Sequence, residues 1–137
     1  KQGISKLHGQ YLNLLNYTDH HLGLFVQRMK DTGVANDTLF FIFGDHGFNF
    51  GEKPGPVQNA GSTVYDELLR VPFLIWSGRL SPSSRGLRIT QVGSLCDLMA
   101  TVADLIGVPD QGFWQHGVGR SLVRHDDSAR ALVSNVY

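Results

Sequence analysis

Asp45-His46-Gly47 follows directly on the apolar run Thr38-Leu39-Phe40-Phe41-Ile42-Phe43-Gly44. A carboxylate beside an imidazole offers an oxygen and a nitrogen donor to one divalent cation. Gly47 then lets the chain turn at no steric cost. A second reading stands beside this one. An Asp at a strand end is a common cap or turn former, and a neighbouring His is often a hydrogen-bonded loop residue. Two adjacent residues decide little alone, because short motifs also arise by chance.

The elements that must position the pair favour a site. Leu39 to Phe43 is continuously apolar, aromatic and β-branched, which predicts a fully buried strand of an α/β sheet. Such a strand delivers the residues after it to the carboxyl edge, where open α/β folds build their sites. Upstream, Tyr11, Leu14, Leu15, Leu22, Phe25, Val26 and Met29 recur at helical spacing. They predict an amphipathic helix from Gln10 to Thr32, closed by Gly33, with a turn at Asn36 and Asp37.

Downstream, residues 47–63 form a Gly- and Pro-rich loop carrying Phe48, Asn49, Phe50, Glu52, Lys53, Gln58 and Asn59. Long loops at a carboxyl edge more often carry function than connect passively. Val64 to Leu69 predicts one or two helical turns, and Val71 to Trp76 a second buried strand. Leu87 to Thr90 reads as a short strand. Val92 to Ile106 reads as a second helix with Leu95, Leu98, Met99, Val102 and Leu105 on one stripe, N-capped at Ser94 and ended by Gly107 and Pro109. Ala131 to Tyr137 alternates weakly and reads as a terminal strand, and no linker divides the chain.

The chain has 137 residues with formal net charge zero. That size fits one domain or part of one. No basic run points to nucleic acid, and no apolar stretch approaches the length that crosses a bilayer. Cys96, the only cysteine, lies in an apolar helical pattern and reads as a small buried hydrophobe, which excludes an internal disulfide framework. His20 and His21 are adjacent on a helix, so their side chains diverge by roughly 100° and cannot chelate one ion well. Arg70 reads as a structural ion-pair partner of Glu67 or Asp66. His116 and His125, in polar stretches, read as exposed. Ser94 and Ser121 lack a nucleophile-elbow context, against a serine hydrolase.

Five segments in order resemble the sulfatase family of the alkaline-phosphatase-like superfamily: Tyr17-Thr18-Asp19 with Gly23, Asp37 through Gly47, Tyr65 through Trp76 with its Arg70-Val71-Pro72, Val92 through Pro109, and Gly119-Arg120-Ser121-Leu122. The resemblance implies an α/β fold, part of an alkaline-phosphatase-like mixed sheet flanked by helices. It implies that residues 1–137 are the C-terminal part of a catalytic domain whose nucleophile and two acidic metal ligands lie upstream. It makes Asp45 and His46 metal ligands, with calcium the first expectation and manganese or zinc the alternatives. The substrate would be a small anionic ester, sulfate first and phosphate second. Relatives place a His or Lys a few residues before the tyrosine. Ala60 stands there in this chain, so Lys53, the loop's one cation, and Asn59 are the substrate-binding candidates. No catalytic residue is assigned within the chain, and the isolated chain is expected to be inactive. The alternatives are a phosphoglycerol or phosphoethanolamine transferase, a phosphodiesterase, or a non-catalytic module that keeps the fold.

Overall fold

The computed structural model describes residues 2–53, 64–108 and 119–124, and the side chains from Lys6 onward. Contacts group them into two units, one ending at Arg85 and one beginning at Gly86. The helices and the small antiparallel sheet are compatible with an α/β chain.

In the first unit, helix α1 spans Gln2–Asp31 and so begins earlier than Gln10. Arg28 and Lys30 in its last turn complement the negative end of the helix dipole. Gly33 closes it at φ +76° and donates its N–H to the Lys30 carbonyl at 3.0 Å. Only glycine adopts that backbone region at little cost. A short 3-10 turn at Val34–Asp37 then leads to strand β1, Leu39–Phe43. One helical turn, α2, spans Asp66–Leu69, and strand β2 spans Phe73–Ser77.

β1 and β2 pair antiparallel, with Phe40 opposite Trp76 and Phe43 opposite Phe73. One face sets Phe40 and Trp76 together, ring centroids 5.0 Å apart, and α1 covers them through Phe25, 6.1 Å from Phe40. The Lys30 ammonium lies 5.5 Å above the Trp76 ring, a cation–π contact. The other face carries Phe41, Phe43 and Phe73, with Phe43 and Phe73 stacked at 6.0 Å. The ends are tied by an Arg79–Asp37 ion pair.

Three expectations change here. β1 is half-buried rather than fully buried, and Phe43 is exposed. Among the described residues it has one partner strand and helix cover on the Phe40 face. β2 begins at Phe73 rather than Val71, because Pro72 has no N–H for the ladder. The α1 stripe is also divided. Leu22, Val26 and Met29 are partly buried, whereas Tyr11, Leu14, Leu15 and Phe25 are exposed.

In the second unit, the expected helix from Val92 to Ile106 is shorter. A 3-10 turn at Leu95–Asp97 precedes helix α3, Leu98–Leu105. Ser94 does cap this start. Its side chain accepts from the Cys96 N–H, and Asp97 accepts from the Ser94 N–H at 2.7 Å, a reciprocal capping box. Asp97 and Thr101 are fully buried, while Met99 and Cys96 are exposed. Cys96 is therefore no core residue, because it sits on the outer side of the capping turn whose inner side is Asp97. Leu87 to Thr90 forms no strand. Ala131 to Tyr137, His116 and His125 lie outside the described residues.

Gly119-Arg120-Ser121-Leu122 clasps this unit. The Arg120 N–H donates to Asp97 at 2.9 Å, and the Leu122 N–H to the Thr101 hydroxyl at 3.0 Å. The Ser121 hydroxyl donates to Asp104 at 2.7 Å. Gly119 lies against the capping turn so closely that a Cβ would stand 2.0 Å from the Cys96 carbonyl oxygen.

Candidate functional site

β1 ends at Phe43, and the next four residues, Gly44-Asp45-His46-Gly47, make the turn that carries the candidate ligands. Two backbone hydrogen bonds hold this turn to α2 and to the segment between α2 and β2. The Gly44 N–H donates to the Pro72 carbonyl at 3.2 Å, and the Gly47 N–H to the Leu68 carbonyl at 2.8 Å. Asp45 and His46 are thus bracketed by two glycines, each fastened at its amide. Gly47 does not need a positive φ. It needs space, since a Cβ there would stand 1.9 Å from the Glu67 carbonyl oxygen. Close approach, rather than freedom to turn, is the reason for a glycine.

Asp45 accepts from the His46 N–H through Oδ1 at 3.0 Å. The His46 ring places Nδ1 2.9 Å from the Gly47 carbonyl oxygen. A carbonyl can only accept, so Nδ1 carries the proton, and in the neutral ring Nε2 keeps its lone pair. Nε2 stands 3.7 Å from Asp45 Oδ2. The His46 side chain is 35% exposed and that of Asp45 85%. Both donors are therefore open to an ion arriving from outside the turn. Among the described residues, no group of three or more His, Cys, Asp or Glu could hold a metal. Asp45 and His46 supply two donors, where zinc takes about four and calcium six to eight.

The loop after the turn is anchored on α1. Phe48 and Phe50 pack together at 4.6 Å, Phe50 meets His8 and Tyr11 edge-on at 4.9 and 5.0 Å, and Asn49 is buried between them in sequence. Asn49 Oδ1 accepts from the Gly51 N–H at 2.9 Å. Lys53 Nζ lies 3.8 Å from Glu67 Oε1, so its ammonium is drawn to α2. Among the described residues, the second oxygen of Glu67 is buried without a hydrogen-bond partner. Asn59 lies outside the described residues, as do Gln58 and Ala60. Arg70 pairs with Asp66 at 3.9 Å, an exposed contact on one helical turn, as expected. His20 and His21 lie exposed on α1 with ring centroids 5.3 Å apart.

Sequence reasoning found the Asp-His pair but missed two neighbours. The contact of Gly47 with α2 links residues twenty apart and leaves no local pattern. The Glu67 partner of Lys53 was legible only as a helix-surface charge. The buried Asp97 had a signal, the Ser-x-x-Asp spacing of a capping box.

A family model described as Sulfatase matches residues 2–108. The chain is 28% identical over 113 residues to an arylsulfatase of Clostridium perfringens, covering 80% of this chain and 23% of that protein. It is 28% identical over 137 residues to a lipoteichoic acid synthase-like protein of Bacillus subtilis, covering 96% of this chain and 22% of that protein. A steryl-sulfatase of Rattus norvegicus is 30% identical over 112 residues, covering 74% of this chain and 19% of the relative. The chain spans under a quarter of the length of these curated relatives. No solved structure matches it significantly.

Proposed function

The chain belongs to the sulfatase family, and from that premise we propose that it is the C-terminal part of the catalytic domain of a metal-dependent sulfuric ester hydrolase. The fold would be the alkaline-phosphatase-like mixed sheet, of which β1 and β2 are two strands. The nucleophile, a formylglycine made from a cysteine, would lie upstream of Lys1. One observation carries the reading. The family match spans the strand, the turn and α2, and the turn presents a carboxylate oxygen and the imidazole Nε2 3.7 Å apart. Two donors on one ion at bond lengths of about 2.0–2.2 Å stand at most roughly 4.4 Å apart, so the spacing suits a shared cation.

Asp45 would be the oxygen ligand and His46 the nitrogen ligand. A divalent ion held there neutralises ester oxygens and activates a nucleophile. The imidazole donor is compatible with manganese or zinc, and the open carboxylate with calcium, which prefers oxygen. Calcium remains the first proposal on the family resemblance. Lys53 is proposed as an anion contact only when released from Glu67, and Asn59 as a second polar contact. The test uses the full-length protein. Calcium and manganese affinities are measured for the parent, Asp45→Ala and His46→Ala, alongside turnover of an aryl sulfate and mass spectrometry of the upstream nucleophile. The reading expects each variant to lose about tenfold or more in affinity. A parent that binds no ion overturns it.

A second reading is phosphoryl-group transfer with a serine or threonine nucleophile. It is favoured by similarity to the lipoteichoic acid synthase-like protein over nearly the whole chain. A hydroxyl residue at the upstream nucleophile position, with release of phosphoglycerol from lipid, would select it.

A further inference from the structure

We propose that Gly47 is a positioning residue that sets the metal-facing nitrogen of His46 through α2. This inference rests on Asp45 and His46 being ligands. The Leu68 carbonyl accepts from the Gly47 N–H at 2.8 Å, and the carbonyl of the same glycine faces His46 Nδ1 at 2.9 Å. One residue therefore joins α2 to the imidazole ring. The Gly47 carbonyl holds the proton on Nδ1 and leaves Nε2 as the donor. Orienting partners of this kind commonly fix the tautomer and direction of a ligating histidine. The coupling depends on closeness. A Cβ at position 47 would stand 1.9 Å from the Glu67 carbonyl oxygen and 3.1 Å from the Leu68 Cα, both backbone atoms that cannot swing aside. Any side chain there pushes the turn off α2, lengthens the amide contact and turns the carbonyl away from the ring. α2 is itself held in place by Leu68, its one buried residue.

The experiment is a double-mutant cycle on calcium and manganese affinity in the full-length protein, with Gly47→Ala, His46→Ala and both together. Unfolding of each metal-free variant is recorded alongside. The expected result is a loss of about 10–100-fold for Gly47→Ala, the size typical of a lost orienting partner. Once His46 is alanine, the second change should cost little more, because Gly47 acts through that ring. Unchanged affinity in Gly47→Ala, or losses that add, overturns the positioning role while leaving the ligand reading intact. A parent that binds neither ion, or a His46→Ala variant that binds as the parent does, overturns both. If Gly47→Ala fails to fold, Leu68→Ala replaces it. That variant keeps the carbonyl but loosens α2, and the same coupling to His46 is expected.

Discussion

Asp104 shows how one side chain ties a loop to a helix. Arg124 and Ser121 donate to its carboxyl, Ser121 at 2.7 Å and the Arg124 Nε at 2.8 Å. The Arg124 hydrogen bond first, then that of Ser121, holds the Asp104 pKa below its ordinary value, against a smaller opposing effect of burial. A carboxyl whose pKa is lowered by folding stabilises the native state above the unfolded pKa of about 3.9. That contribution is lost as the pH falls through this value towards the lowered one. Asp104→Asn should therefore cost about 1 kcal/mol near neutral pH. In the full-length protein its urea midpoint should begin to approach that of the parent as the pH falls below about 4, and should meet it only below the lowered native pKa, where both side chains are neutral in the folded and unfolded states. A gap that stays constant with pH would show that the carboxyl's charge contributes nothing.

The second unit is organised by buried polar groups rather than by an apolar stripe. Asp97 accepts backbone N–H groups from Ser94 and Arg120, and the Thr101 hydroxyl bridges the Asp97 carbonyl and the Leu122 N–H. A buried donor left without its acceptor costs its full desolvation. Asp97→Ala should destabilise by roughly 2–3 kcal/mol, and Thr101→Val, nearly the same shape, by about 1–2 kcal/mol. Chemical denaturation of the full-length protein measures both, and the double variant should depart from additivity because the two sites share one network. The capping box was legible at Ser94 and Asp97, since its residues are local. The clasp by residues 119–122 was not, because it joins positions about twenty apart.

Across the chain, large apolar side chains stand open in both units. Leu14 is 65% exposed, Met99 61% and Leu87 69%. The sheet has two strands among the described residues, so each strand has one unpaired edge. Apolar surface of this extent invites association. The isolated 137-residue chain should aggregate or behave as a molten state, binding a hydrophobic dye and melting without cooperativity. A sharp cooperative melt of the purified monomer would reject that expectation.

Sequence alone determined what is local. The apolar run of β1, the Gly33 cap, the single turn at Asp66–Leu69 and the Asp45-His46 pair each lie within a few residues, where propensity and backbone sterics decide the outcome. It also carried the family likeness, because ordered motifs persist along a chain. Tertiary structure decided what depends on neighbours distant in sequence: that β1 pairs antiparallel with β2 and is only half-buried, that Cys96 faces outward, and that Lys53 meets Glu67. It also decided which nitrogen of His46 carries the proton, through a glycine pressed against α2. Burial and close approach are properties of the surfaces that come together, and a single segment does not contain them.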